Sequence, residues 1–166
     1  MADVCCTDQE DIEKECGPNA GYMKPSLNIA CEGNVATIGA VTAGAVATMT
    51  MEATEVFNTW ATSQKGTMDT VGALSDDGST VNYTTTYTTF VKKCTGARLA
   101  ALQAGAGDGK IVIGTDKNGL KWIIGEKENG CTVVVSPKIN EKNGIEVVIS
   151  WEHSKLLLEY TGVIAL

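Results

Sequence analysis

The sequence has little proline, histidine and aromatic residue: 3 prolines, one histidine and 5% aromatic side chains. A single histidine, His153, leaves few ways to build a catalytic or metal-binding constellation, which needs several converging groups. Few aromatic rings argue against a sugar-binding face, which stacks its ligand on exposed rings. Abundant threonine and 18 glycines instead favour β-structure with tight turns.

The sequence also lacks a basic stripe. Its net charge is −7, and residues 1–15 carry −5 of this, from six acidic residues and one lysine. Tight nucleic-acid binding needs lysine and arginine to neutralise phosphates. We therefore expect any contact with DNA to be non-specific, as the DNA passes the protein.

The six cysteines are Cys5, Cys6, Cys16, Cys31, Cys94 and Cys131. Their spacing does not give the paired ligands of a zinc site. Residues 1–15 are acidic and lack an apolar run, so we expect no signal peptide and a reducing compartment. Free thiols, no metal and no cofactor are the expectation.

Two further patterns are candidates for chemical sites. His153 stands between Glu152 and Ser154 in a predicted turn, where it is expected to be exposed and without a catalytic partner. The run Asp76-Asp77-Gly78 lacks the spaced oxygen ligands of a calcium loop and predicts a plain turn. The chain is therefore not expected to be an enzyme.

The chain predicts an acidic N-terminal arm and one β-rich domain. Residues 1–26 are hydrophilic and are interrupted by Pro18 and Pro25, and residues 27–166 form the domain. Val35–Met51 is uncharged but too short and too weakly hydrophobic for a membrane span. We interpret it as buried or assembly-contact β-structure, with a helix over residues 41–54 as the alternative. Residues 55–78 predict a long loop.

A long strand and a helix follow. Residues 79–93 predict the strand, and within it residues 81–92 alternate between two faces. At about 3.3 Å per residue these alternating residues span about 40 Å. A domain of this size has a radius of gyration of only about 15 Å. Thr95 is a suitable N-cap for a helix over residues 95–106, which Leu99 and Leu102 give an apolar side.

The C-terminal part predicts a β-meander, because three Asn-Gly pairs separate apolar runs. Asn-Gly favours two-residue hairpin turns, since both residues accept positive φ. The predicted strands are listed here: Lys110–Thr115, Leu120–Gly125, Cys131–Ser136, Ile145–Trp151 and Lys155–Thr161. Trp122 and Trp151 fall on these strands and are expected to pack in a core or an interface.

Residues 110–130, KIVIGTDKNGLKWIIGEKENG, carry a family resemblance. They form a strand, a Lys-Asn-Gly hairpin, an aromatic-apolar strand ending in glycine, and an Asn-Gly turn. This pattern resembles small virion proteins of tailed phages that infect Bacteroidetes, including the crAss-like phages. With the long Thr/Tyr strand before it and the hairpin over residues 140–144 after it, the resemblance covers residues 79–162. It implies a structural component with a tail-tube-like β-sandwich or barrel that forms rings.

The expected function is a ring- or tube-forming subunit of the phage tail or neck, located in the virion and assembled in the host cytoplasm. Its partners would be copies of itself and other virion proteins. A second subunit is expected to pair with the long strand, which carries neither proline nor charge over residues 81–91. The predicted interface residues are Thr84, Thr86, Thr88, Phe57 and Trp60, the last two also being candidate core anchors. The alternatives are an auxiliary capsid or packaged virion protein, and a ligand- or carbohydrate-binding β-sandwich.

Overall fold

The computed structural model describes residues 21–63, 66–140 and 143–166. The described part is mainly β, with 13 strands, the single α-helix α1 (Gly96–Gly105) and a short 3-10 helix over Glu32–Asn34. The strands are β1 Met23–Cys31, β2 Val35–Ile38, β3 Val41–Thr42, β4 Ala45–Val46, β5 Met49–Met51, β6 Asn58–Ala61, β7 Thr67–Leu74, β8 Val81–Lys92, β9 Gly107–Asp116, β10 Lys121–Ile124, β11 Cys131–Lys138, β12 Gly144–His153 and β13 Leu158–Tyr160.

Eleven strands form one sheet in the order β3-β4-β13-β10-β9-β11-β12-β8-β7. Strand β1 pairs with β9 on the edge opposite β10, and β6 pairs with β1. Every pairing is antiparallel except that between β13 and β4. Strands β2 and β5 form a separate pair. The sheet curves until Met23, at the start of β1, bridges Gly66, just before β7.

Strand β9 separates two hydrophobic clusters and sends alternate side chains into each. Val112 belongs to the larger cluster, with Tyr87, Ile149 and Trp151. Ile111 and Ile113 belong to the smaller one. Because successive side chains of a strand point to opposite faces, this run is buried on both sides. The resulting layers are those of a sandwich, so the predicted mainly-β sandwich is confirmed, while the sheet does not close into a barrel.

Local signals placed the helix and the C-terminal strands correctly. Helix α1 begins after Thr95, whose side-chain oxygen accepts a hydrogen bond from the Arg98 backbone N–H at 3.3 Å. Each predicted strand after residue 110 corresponds to one of β9 to β13. Their order is not a simple meander, since β9 pairs with both β10 and β11.

Three predictions from the N-terminal half need correction. The boundary at residue 26 falls inside β1, where Met23 is buried and pairs with β9; residues 1–20 lie outside the described residues. The loop predicted over residues 55–78 contains β6 and β7, whose partners β1 and β8 hold them in extended form. The alternative helix over residues 41–54 is wrong, because short strands occupy it.

The uncharged stretch Val35–Met51 is β-structure, as predicted, but most of it is not buried. Val35 and Val46 are its two buried residues, and Val41 is 51% exposed. None of the described residues form a helix long and apolar enough to cross a membrane.

Candidate functional site

The three threonines predicted for the interface lie on one face of β8. Thr84 is exposed, whereas Thr86 and Thr88 are half-buried. The backbone of β8 is covered on both edges by its own chain: β12 pairs with residues 83–92 and β7 with residues 81–88. The prediction that a second subunit supplies a strand to β8 is therefore wrong for residues 83–88, where both edges of β8 are paired within the chain.

The other two predicted residues lie elsewhere. Phe57 is only 4% exposed and packs in the smaller cluster, while its backbone N–H donates to the Ala165 carbonyl at 2.9 Å. Trp60 is half-buried against the larger cluster and lies under the C-terminal end of α1 at Gly105. Both anchor the chain to the core. An interface role for these five residues stays a prediction.

The open edge belongs to β7, which ends the sheet and pairs along its length with β8 alone. Every residue from Asp69 to Leu74 is exposed. The exposed fraction is 66% for Val71 and 70% for Leu74, and Val81, opposite Leu74 on β8, is 37% exposed. The distal part of this hairpin therefore projects beyond the two clusters, with apolar side chains and unpaired backbone groups in solvent.

The turn that joins β7 to β8 is held by Asp77. Its carboxylate accepts hydrogen bonds from the Ser75 hydroxyl and from the backbone N–H and hydroxyl of Ser79. These bonds lower the pKa of Asp77 to about 2, and the bond from Ser75 has the largest effect. The turn is thus an ordered tip, as the Asp-Asp-Gly sequence predicted, and its carboxylate is engaged within the turn.

His153 corrects the expectation of an exposed turn residue. It is the last residue of β12 and is 6% exposed. Its Nδ1 lies within hydrogen-bond range of the Lys155 carbonyl and its Nε2 is 2.9 Å from Thr85 Oγ1. A carbonyl only accepts, so Nδ1 donates to it, and in the neutral ring Nε2 accepts from Thr85. Thr85 is in turn 2.8 Å from the Thr70 hydroxyl.

The surroundings of His153 are those of a core residue. Its ring stacks on Trp151 at 3.7 Å and lies 5.8 Å from the Tyr83 ring. Burial lowers the pKa of His153 from 6.5, against the smaller opposing effects of the Lys155 carbonyl and the charge of Glu126. A neutral imidazole with both nitrogens occupied serves to fix the β8–β12 pairing.

The described thiols do not gather into a metal site. Cys31 is exposed, Cys94 is half-buried and Cys131 is buried, and burial raises the pKa of Cys131 to about 12. Within residues 21–63, 66–140 and 143–166, no three histidine, cysteine or carboxylate side chains converge on one point. The N-terminal cysteines Cys5, Cys6 and Cys16 lie outside these ranges.

Sequence reasoning missed β7 because the strand is exposed on both faces, so its side chains do not alternate in hydrophobicity. The available signal was the Asp77-Gly78 dipeptide before a long strand. Asp-Gly between two extended runs is typical of a hairpin, and that interpretation would have placed a partner strand over residues 67–74.

Comparisons of this chain with protein-family models, with curated proteins and with solved structures find no match.

Proposed function

We propose that this chain is a structural subunit that assembles with copies of itself into a ring or tube in the tail or neck of a phage virion. The observation that carries the proposal is the open edge of β7. An eight-residue edge strand without proline, with Asp69 as its one charge and with exposed Val71 and Leu74, lacks the features by which monomeric proteins protect their edges.

The two ends of the sheet favour a ring over a symmetric pair. One end is β7 and the other is β3, a different sequence on a different part of the chain. Pairing of unlike edges is a head-to-tail contact, and its repetition closes a ring or extends a tube. Val41, on β3, is 51% exposed and offers a small apolar contact to the arriving hairpin.

The charge supports the same role. A subunit with net charge −7 repels DNA phosphates, so a channel built from it would let DNA pass without binding it. The resemblance of residues 110–130 to small virion proteins also supports this role. A carbohydrate-binding module is less well supported, since Tyr22 is the one exposed aromatic residue in the described part of the chain.

The test compares the purified protein with three lysine variants by native mass spectrometry and negative-stain microscopy. Wild type is expected to form rings or larger assemblies as its concentration rises. Val71→Lys, on β7, and Val41→Lys, on β3, should both remain monomeric, because lysine at a sheet edge opposes strand addition. The matched control is Val163→Lys, which changes an 89% exposed valine in the C-terminal tail and should assemble like wild type.

Two results would overturn the proposal. Wild type that stays monomeric at every concentration, alone and with purified particles, has no self-assembly to explain. Dimers that are lost in Val71→Lys but retained in Val41→Lys would show a symmetric β7 pair instead of a ring. Peptide mass spectrometry of purified phage particles tests the virion location directly, and absence of this chain from them would exclude it.

A further inference from the structure

A groove runs between β6 and α1, on a part of the surface distinct from β7. Two clefts, of about 580 and 430 Å³, share Thr59, Trp60 and Ala101 in their linings, so they adjoin one another and together make up the groove. The edge of β6 that faces away from β1 has no strand partner among the described residues. An open strand edge opposite a helix is an arrangement that accepts an extended peptide as an added strand.

The charges of this groove are all of one sign. Its lining includes Lys92, Arg98 and Lys110 and no aspartate or glutamate. The salt bridge in the described part of the chain is Lys138–Glu146. None of the three cations of the groove therefore forms a salt bridge with a described carboxylate. In a protein with 20 acidic and 13 basic residues, a groove without a carboxylate is suited to an acidic occupant.

Lys110 gives the strongest indication of an anionic ligand. The residue is only 9% exposed, and its ammonium is 3.1 Å from the Cys31 sulfur. A buried ammonium is costly unless an anion or several hydrogen bonds compensate it. A carboxylate arriving in the groove would compensate this charge.

The chain itself carries a segment of matching chemistry. Residues 1–15 have net charge −5 and include Asp8, Asp11 and Glu15 among apolar residues such as Val4 and Ile12. Arg98 and Gly105 are seven residues apart on α1, or about 10 Å. An extended peptide covers that distance in three to four residues at about 3.3 Å each, so the stretch from Asp8 to Glu15 is long enough to run along the whole of α1.

We propose that this groove binds the acidic N-terminal segment, residues 1–20, of the same chain. The segment is joined to β1, whose Pro25 lines the groove. Such a short tether gives an effective concentration in the millimolar range, so in a dilute subunit the chain's own segment outcompetes that of another copy. The contact does not depend on the proposed assembly.

Photo-crosslinking of the full-length chain tests this placement. A benzophenone amino acid is introduced at Ala101, which is exposed and lines both clefts, and at Ile139, 83% exposed, as the control position. A mixture of isotopically heavy and light chains at nanomolar concentration identifies the donor copy by mass spectrometry. We expect crosslinks from Ala101, and none from Ile139, to peptides within residues 1–20 of the same copy.

The charge dependence is tested in the same experiment. High salt, Lys92→Glu, or Asp11→Asn with Glu15→Gln should each reduce the crosslink yield severalfold, whereas Lys155→Glu should leave it unchanged. The proposal is overturned by crosslinks only to other parts of the chain, by heavy-to-light crosslinks at nanomolar concentration, or by a yield that none of these changes alters. The Val71→Lys variant keeps the two proposals separate, since a monomeric chain should retain the full crosslink.

Discussion

Replacing Gly125 by alanine tests the junction between β10 and β11, where three strands come together. Gly125 has φ +103°, and a Cβ atom there would lie 2.5 Å from the Lys110 carbonyl oxygen and 3.1 Å from the Cys131 backbone nitrogen. Both neighbours are backbone atoms of paired strands, so no side-chain rotation relieves the contact. The substitution must either move β9 and β11 apart or displace residue 125 itself.

The expected cost has two parts. A side chain at this positive φ adds about 1–3 kcal/mol of backbone strain, and the forced displacement of packed atoms adds about 1–3 kcal/mol more. Gly44 separates the two, because its φ is +78° but a Cβ atom there meets nothing within 4 Å. Gly44→Ala should therefore cost only the strain of a left-handed residue, about 1–2 kcal/mol.

Urea and thermal unfolding of wild type and both variants measure these costs. For a chain of this length 1 kcal/mol corresponds to about 2–4 °C in Tm. We expect both variants to melt below wild type, with Gly125→Ala about 2–12 °C below Gly44→Ala. Equal destabilisation of the two variants, or a larger effect at Gly44, would refute the close approach of Gly125 to β9.

The remaining predictions concern the core, the helix and the histidine. Ile149→Ala should lower the free energy of unfolding by about 2–5 kcal/mol, because Ile149 is fully buried. Val134 is half-exposed, so Val134→Ala should lower it by under about 0.5 kcal/mol. Similar urea midpoints for the two variants would contradict the burial of Ile149 and the exposure of Val134. Thr95→Ala should cost about 1 kcal/mol through loss of the cap, seen as a lower urea midpoint, and Thr95→Ser should restore it. Burial lowers the pKa of His153 from 6.5, so the unfolded state binds the histidine proton more tightly than the folded state does. The free energy of unfolding is therefore unaffected by this group above pH 6.5. It decreases as the pH falls below 6.5, by up to about 1.4 kcal/mol per pH unit. Unfolding between pH 8 and pH 5 should show this loss in wild type and less of it in His153→Gln, and equal pH dependence would contradict the burial.

Part of the fold could be predicted because it depends on neighbours in the chain. The Asn-Gly pairs at residues 118–119, 129–130 and 143–144 mark the breaks between strands whose apolar residues recur locally. They do not all form the turns themselves, since Gly144 begins β12 and the turn before β11 has Lys127 and Glu128 at its centre. Thr95 caps α1 through a bond to the residue three positions later. Turn chemistry, alternation and capping each act over two to five residues, so the sequence displays them directly.

The candidate sites could not be predicted in the same way. The alternating sequence of β8 indicated a strand, but whether its edge was open depended on β7 and β12, which pair with it from both sides. The sequence around His153 indicated a turn, whereas Thr85, 68 positions away, together with Trp151, makes it a core residue. Neither the pairing of a strand edge nor the burial of a single polar residue such as His153 leaves a local pattern, because both depend on segments distant in the chain.

By itself, then, the sequence determined a mainly β chain with one short capped helix, C-terminal strands separated near the Asn-Gly pairs and a concentrated acidic segment in residues 1–15. Only the tertiary structure decided that the open edge is β7, that His153 lies in the core, and that Lys92, Arg98 and Lys110 line one groove. The physical reason is the range of the interactions. Backbone preferences and turn chemistry act between adjacent residues, whereas edge exposure, burial and charge clustering arise when segments distant in the chain meet.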